Sequence, residues 1–228
     1  MKNFRLLRAD EIDCRVAQIF ERSSTCTLLL YKDARCDMNI LDETVGAYSW
    51  KKEYKRDNAN CIVSIYYPTM GEWIGKEDTG TESNTEAEKG LASDSFKRAC
   101  VNWGIGRELY SAPRIVVPCT LVERNGKKVT YDRFTVKEIS YDAKERIAHL
   151  VITKDGTKVF EWNSEEEEDA LNSAPSEVHI KSLRKLMEKK GVTEEQVCER
   201  YKVPNLEDLT MEQYTYAVNA LDKSKDKT

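Results

Sequence analysis

Residues 92–103 set the terms for the rest of the chain. Ala92, Phe96, Ala99 and Trp103 recur at spacings of four, three and four. That is one apolar stripe on a helix, which needs a hydrophobic surface to cover it. Ser83 and Glu86 form the S-x-x-E pattern of a helix N-terminus, in which side-chain and backbone donors satisfy one another. Gly104 stops the helix. Gly90 is unfavourable in a free helix by up to roughly 1 kcal/mol and points to close approach of another backbone. The surface is predicted just upstream. Residues 61–67, CIVSIYY, read as a strand, Pro68 to Gly71 as a turn, and Glu72 to Lys76 as a returning strand. A helix laid on a hairpin is therefore expected.

The flanks are read in the same way. Residues 3–20 place Phe4, Leu7, Ile12, Val16 and Ile19 at near-helical spacing and predict a short helix. Residues 26–31, CTLLLY, suit a buried strand, and residues 38–50 a helix ending at Gly46 in the left-handed cap conformation. From 113 to 162 a β-meander is expected, with hairpin turns at Asn125-Gly126 and Asp155-Gly156. Residues 163–175 are expected to be an acidic flexible linker. Three short helices follow over 176–222, started by Ser176, Thr193 with Gln196, and Thr210 with Gln213, and stopped by Gly191 and Pro204. Val178, Leu183, Leu186 and Met187 are expected to face inward on the first of them, and Tyr214, Val218 and Leu221 on the third. Residues 223–228 are expected to be a disordered tail. The fold class is thus α+β, with a first domain over 1–162 and a helical module over 176–222.

Charge locates the partners. The formal net charge is -4, but residues 1–160 hold 26 Lys and Arg against 24 Asp and Glu, whereas 161–169 hold six acids and no base. The acidity is one tract, and a global balance does not describe the field of a groove. The seven cysteines form no C-x-x-C pair and there are two histidines. That disfavours a zinc site or a disulfide framework and fits a reducing cytoplasm. No apolar run reaches the length of a membrane span, and no signal-peptide segment opens the sequence.

Three groups of residues could carry chemistry. Lys97 and Arg98, with Arg107 beyond the glycine break, can contact phosphates from a rigid helix; the competing reading is a solvated face with Arg98 paired to Asp94. Lys51, Lys52, Lys55 and Arg56, interleaved with Tyr48, Trp50 and Tyr54, suit a single strand, since bases stack on rings while cations hold phosphates; the competing reading is an exposed loop anchored by its aromatics. The acids Glu72, Glu77, Asp78, Glu82, Glu86 and Glu88 could hold the metal of a nuclease. Several of them open a helix, where the dipole favours negative charge anyway, and that reading is preferred. No P-loop is present and no catalytic, metal or cofactor site is expected.

Residues 85–110, with TEAEKG, ASDSFKRA and NWGIGRELY in order, resemble the motif helix of the Rad fifty-two superfamily of single-strand annealing proteins. Asp37-Met38-Asn39-Ile40-Leu41 through Gly46 and Trp50 is similar to the opening of that fold, and Cys61 to Gly80 to its hairpin. The likeness covers roughly residues 4–117, is most specific over 76–113, and is nearer to the phage and bacterial branch. It implies a β-β-β-α core and a DNA groove lined by Lys97, with Arg98 beside it. It also implies a second groove arginine near Arg35 and hairpin cations at Lys51, Lys52, Lys55, Arg56 and Lys76, with Trp50 and Tyr54 as candidates for base stacking. The implied activity is ATP-independent binding and annealing of single-stranded DNA in recombination or repair, by a non-enzymatic homo-oligomeric ring. The helical module is expected to dock a partner such as a single-strand-binding protein. The alternatives are a DNA-end-protecting or RNA-binding module without annealing and, less favoured, a metal-dependent nuclease.

Overall fold

A computed structural model describes residues 3–81 and 87–224. The chain divides into two compact units, Met1–Trp162 and Asn163–Thr228.

The first unit opens with a 3-10 turn, Ala9–Glu11, and two strands, β1 (Asp13–Phe20) and β2 (Thr25–Tyr31). Helix α1 (Ala34–Val45) follows, then β3 (Trp50–Lys55), β4 (Asn60–Tyr67), β5 (Glu72–Thr79) and helix α2 (Ala87–Asn102). Strands β6 (Ile115–Pro118), β7 (Val122–Arg124), β8 (Lys127–Val129), β9 (Phe134–Tyr141), β10 (Ile147–Lys154) and β11 (Thr157–Asn163) complete it. The class is α+β, and β3-β4-β5-α2 gives the β-β-β-α order expected. Among the described residues three antiparallel sheets form: β11-β10-β9-β1-β2-β6, β3-β4-β5, and the separate β7-β8 pair.

The helix expected over 3–20 does not form: apart from the short 3-10 turn, its regular structure is strand β1, Asp13–Phe20. Cys14, Val16 and Ile19 lie opposite Leu30, Leu28 and Cys26. The register shifts between Val16 and Gln18, so Ala17 is an extra residue, a β-bulge. The bulge resets the alternation, and inward residues fall at spacings of two and then three. With Ile12 ahead of them they mimic a helical stripe. The meander is also interrupted: β1 and β2 sit between β9 and β6. The two Asx-Gly turns do form, with positive φ at Asn125, Gly126, Asp155 and Gly156.

Asp33 caps α1 by accepting from the Cys36 amide. Gly46 ends that helix at φ 88°, ψ 144°, a positive-φ turn rather than the left-handed cap expected. Phe96 and Ala99 are fully buried and Trp103 packs against the same core, so the stripe on α2 is covered as predicted. The Trp103 indole donates to the Val63 carbonyl of β4 at 2.9 Å. A close backbone approach is found at Gly80, where an added Cβ would stand 2.6 Å from the Ser95 amide nitrogen. The Ser83–Glu86 pair and the side chains of Glu82, Glu86 and Glu88 lie outside the described residues.

In the second unit the acidic run is not a flexible linker: Ser164–Asn172 is a helix, α3, begun by Asn163 accepting from the Glu165 amide. Three glutamates in its first turn suit the positive end of the helix dipole. Helices α4 (Glu177–Lys190), α5 (Glu194–Tyr201) and α6 (Met211–Asp222) start at Ser176, Thr193 and Thr210, each with a capping box. Gly191 takes the left-handed conformation after α4. Leu183, Met187 and Leu221 are buried with Ile180, Val197, Leu206, Leu209 and Ala217. Val178, expected inward, is 71% exposed, and Ile180 takes the core position. Among the described residues no helix is long and apolar enough to cross a membrane.

Candidate functional site

A groove of about 450 Å³ runs between the β1–β2 ladder and α2. Strand alternation builds its sheet wall. Cys26, Leu28 and Leu30 of β2 turn to the core, so Leu29 and Tyr31 turn outward, with Arg15 opposite Leu29. Helix α2 supplies Asp94, Lys97 and Arg98 within one turn, and Tyr110, 73% exposed, also lines the groove. Among the described residues no ion pair engages Arg15 or Lys97. Arg98 donates to Asp78 at 3.3 Å rather than to Asp94. Asp94 instead accepts from the Thr81 amide and hydroxyl at 2.9 and 3.2 Å. Three cations and one engaged carboxylate thus border a surface with two accessible phenol rings.

The floor of the groove is a buried ion pair. Lys32 extends from the end of β2 to Asp37 in the first turn of α1, and both are buried. Gly106, at φ 73°, lies directly on the lysine stem: an added Cβ would stand 2.1 Å from Cε of Lys32. One oxygen of Asp37 has no hydrogen-bond partner among the described residues. Burial pushes its carboxyl up to about 6, against the pull of Lys32 and, more weakly, of Lys97. The floor therefore fixes the strand, helix α1 and the loop after α2 relative to one another.

Of the sequence candidates, Lys97 and Arg98 line this groove and the others do not. Arg107 donates to the Val101 and Asn102 carbonyls at 2.9 and 3.2 Å, closing the C-terminus of α2. Lys76 donates to the same Asn102 carbonyl at 2.7 Å and sits 4.5 Å over the Trp103 ring. Both cations satisfy carbonyls that the helix leaves unpaired. Arg35 is exposed at the start of α1 and pairs with Asp33 at 2.9 Å.

Within the basic and aromatic run at 48–56, Trp50–Lys55 is strand β3, and alternation divides it. Trp50, Lys52 and Tyr54 share the face of Cys61, Val63 and Ile65, towards α2. Trp50 stacks on Phe96 at 6.2 Å and donates to Asp42 at 2.6 Å, and Lys52 lies 4.6 Å over the Phe96 ring. Trp50 is thus an anchor between helices, and its face is taken. Lys51 is on the opposite face, 5.2 Å over Trp73, and alternation puts Lys55 there too. Arg56 occupies the turn at φ 50°. The acids are divided likewise: Glu77 accepts from Asn60 on one face of β5, and Asp78 meets Arg98 and Asn102 on the other.

Arg15, Tyr31 and Tyr110 were not anticipated. The apolar run 26–31 reads as a strand buried on both faces, whereas only one of its faces meets the core. A period-two count would have turned Leu29 and Tyr31 outward. Arg15 was hidden by the helical reading of 3–20. No family model matches the chain, and neither a curated protein nor a solved structure matches it.

Proposed function

We propose that the groove between β1–β2 and α2 binds the backbone of single-stranded DNA, and that the protein is an ATP-independent, non-enzymatic annealing protein of recombination or repair. The observation that carries this reading is the juxtaposition of Arg15, Lys97 and Arg98 with the exposed rings of Tyr31 and Tyr110. Cations hold phosphates, and tyrosine faces take bases of any sequence, each worth about 1–3 kcal/mol on alanine substitution. A rigid helix on a buried core gives the cations fixed spacing. The likeness of residues 76–113 to the annealing family adds to the reading. In that reading copies of the chain assemble as a ring that extends the groove, and the second unit docks a partner such as a single-strand-binding protein.

The test is fluorescence anisotropy on a labelled single strand over a salt series, with strand pairing followed separately. The expected result is steeply salt-dependent binding and faster pairing by the wild type. Lys97→Ala and Arg15→Ala should each reduce the log–log salt slope by about one and slow pairing. Unaltered binding and pairing by the double variant would remove the groove from the reading. Binding by the wild type without faster pairing would favour a protecting or RNA-binding module.

A further inference from the structure

The β7–β8 pair belongs to neither of the larger sheets. Its base is pinned by Asp132, which accepts from the Thr120 amide at 2.6 Å and from Lys154 at 3.3 Å. Beyond that clamp the ribbon stands free, turning at Asn125 and Gly126 with φ of 52° and 72°. Arg124 and Lys127 are cross-strand neighbours and so share a face, while Lys128 lies opposite Glu123 on the other. On the Arg124 face Val122 is exposed, and so is Tyr131, whose hydroxyl takes a hydrogen bond from Arg124 at 3.2 Å. Among the described residues no ion pair engages Arg124, Lys127, Lys128 or Arg133.

We infer that this ribbon is a second nucleic-acid contact, and that its ligand is duplex DNA, entered through a groove. The inference rests on nucleic acid being the ligand of the protein, as proposed above. Three features favour a duplex. A two-stranded ribbon fits the major groove of B-form DNA, about 12 Å wide. Cations on both of its faces can reach phosphates on both walls of a groove, whereas a strand lying on a surface needs cations on one face. The ribbon also projects, while the concave site at Lys97 is the one shaped to cradle a single strand. The two sites are separate. The ribbon follows Pro118, which pairs with Thr25 at one end of β2, and the Lys97 groove meets Tyr31 at the other end, roughly 20 Å away at about 3.3 Å per residue. A protein that pairs strands makes duplex as its product, and this arm would hold it.

The experiment compares affinities for a single strand and a blunt duplex of equal length, using the wild type, Lys97→Ala, and the triple variant Arg124→Ala, Lys127→Ala, Lys128→Ala. These three side chains are exposed, and unchanged thermal melting will confirm folding. The triple variant should bind duplex at least tenfold more weakly, with a log–log salt slope smaller by about two to three, and should bind the single strand as the wild type does. Lys97→Ala should show the reverse. Equal duplex affinity of the triple variant and the wild type, equal losses on both ligands, or no duplex binding by the wild type each overturns the ribbon's role. Duplex binding without single-strand binding by the wild type would overturn the annealing reading and leave the ribbon standing.

Discussion

Asp37 is the residue on which the groove's floor turns. Its carboxyl is fully buried against Lys32, with one oxygen unpartnered. Burial raises its folded value to about 6 from the usual carboxylate range. The folded protein therefore keeps a proton that the unfolded chain has released between about pH 4 and pH 6. Proton linkage then gives stability that is present below about pH 4 and is lost as pH rises through about 6. Other carboxylates, such as Glu11 held low by Arg5, act in the opposite sense, so the signal lies in a difference. Asp37→Asn should abolish this slope in melting temperature relative to the wild type between pH 4 and 7. Parallel pH profiles for the two proteins would show that Asp37 does not titrate in that window. None of this was legible in the sequence, because neither Lys32 nor Asp37 sits in a pattern that announces burial. Their pairing depends on how the end of β2 meets the first turn of α1.

At the level of elements, the contact of α2 with β4 and β5 decides where the groove cations stand. The apolar stripe of α2 and the hairpin beneath it were readable, because period and turn chemistry agreed. The bulge in β1 was not, since its extra residue reproduces a helical spacing. The contact itself hangs on Gly80, whose position leaves no room for a methyl group against backbone atoms of Ser95 and Leu91, at 2.6 and 2.7 Å. Backbone cannot swing aside as a side-chain tip can. Gly80→Ala should therefore displace α2, lower stability by about 2 kcal/mol or more, and weaken single-strand binding because Lys97 and Arg98 move with the helix. Gly75→Ala is the control. Its Cβ would meet only the side-chain ends of Ile62 and Ser64, at 3.0 Å, and it should cost less and leave binding intact. Calorimetry and anisotropy on the two variants separate these outcomes. Equal melting temperatures would mean that α2 is not seated by this contact.

For the whole molecule, charge and architecture divide at the same place. The acids of 161–169 begin where the first compact unit ends, and the second unit closes its own core around Leu183, Met187 and Leu206. The sequence showed this division because composition shifts there and helix-start signals follow at Ser176, Thr193 and Thr210. It did not show that the acidic run folds. A run of glutamates has no apolar period, and what makes α3 a helix is its Asn163 cap and the placing of those charges at its N-terminus. The groove and the ribbon both lie in the first unit. A fragment ending at residue 162 should therefore bind single-stranded DNA at least as tightly as the full chain. It loses four glutamates and an aspartate of the acidic run with the rest of the second unit, so any gain should be largest at low salt, where screening is weakest. The same fragment should lose capture of a single-strand-binding protein. Pull-down with that protein and anisotropy over a salt series are the measurements. A fragment that folds, as judged by a cooperative melt, yet no longer binds the strand would place part of the DNA contact in the second unit. A fragment that still captures the partner would move the docking surface to the first.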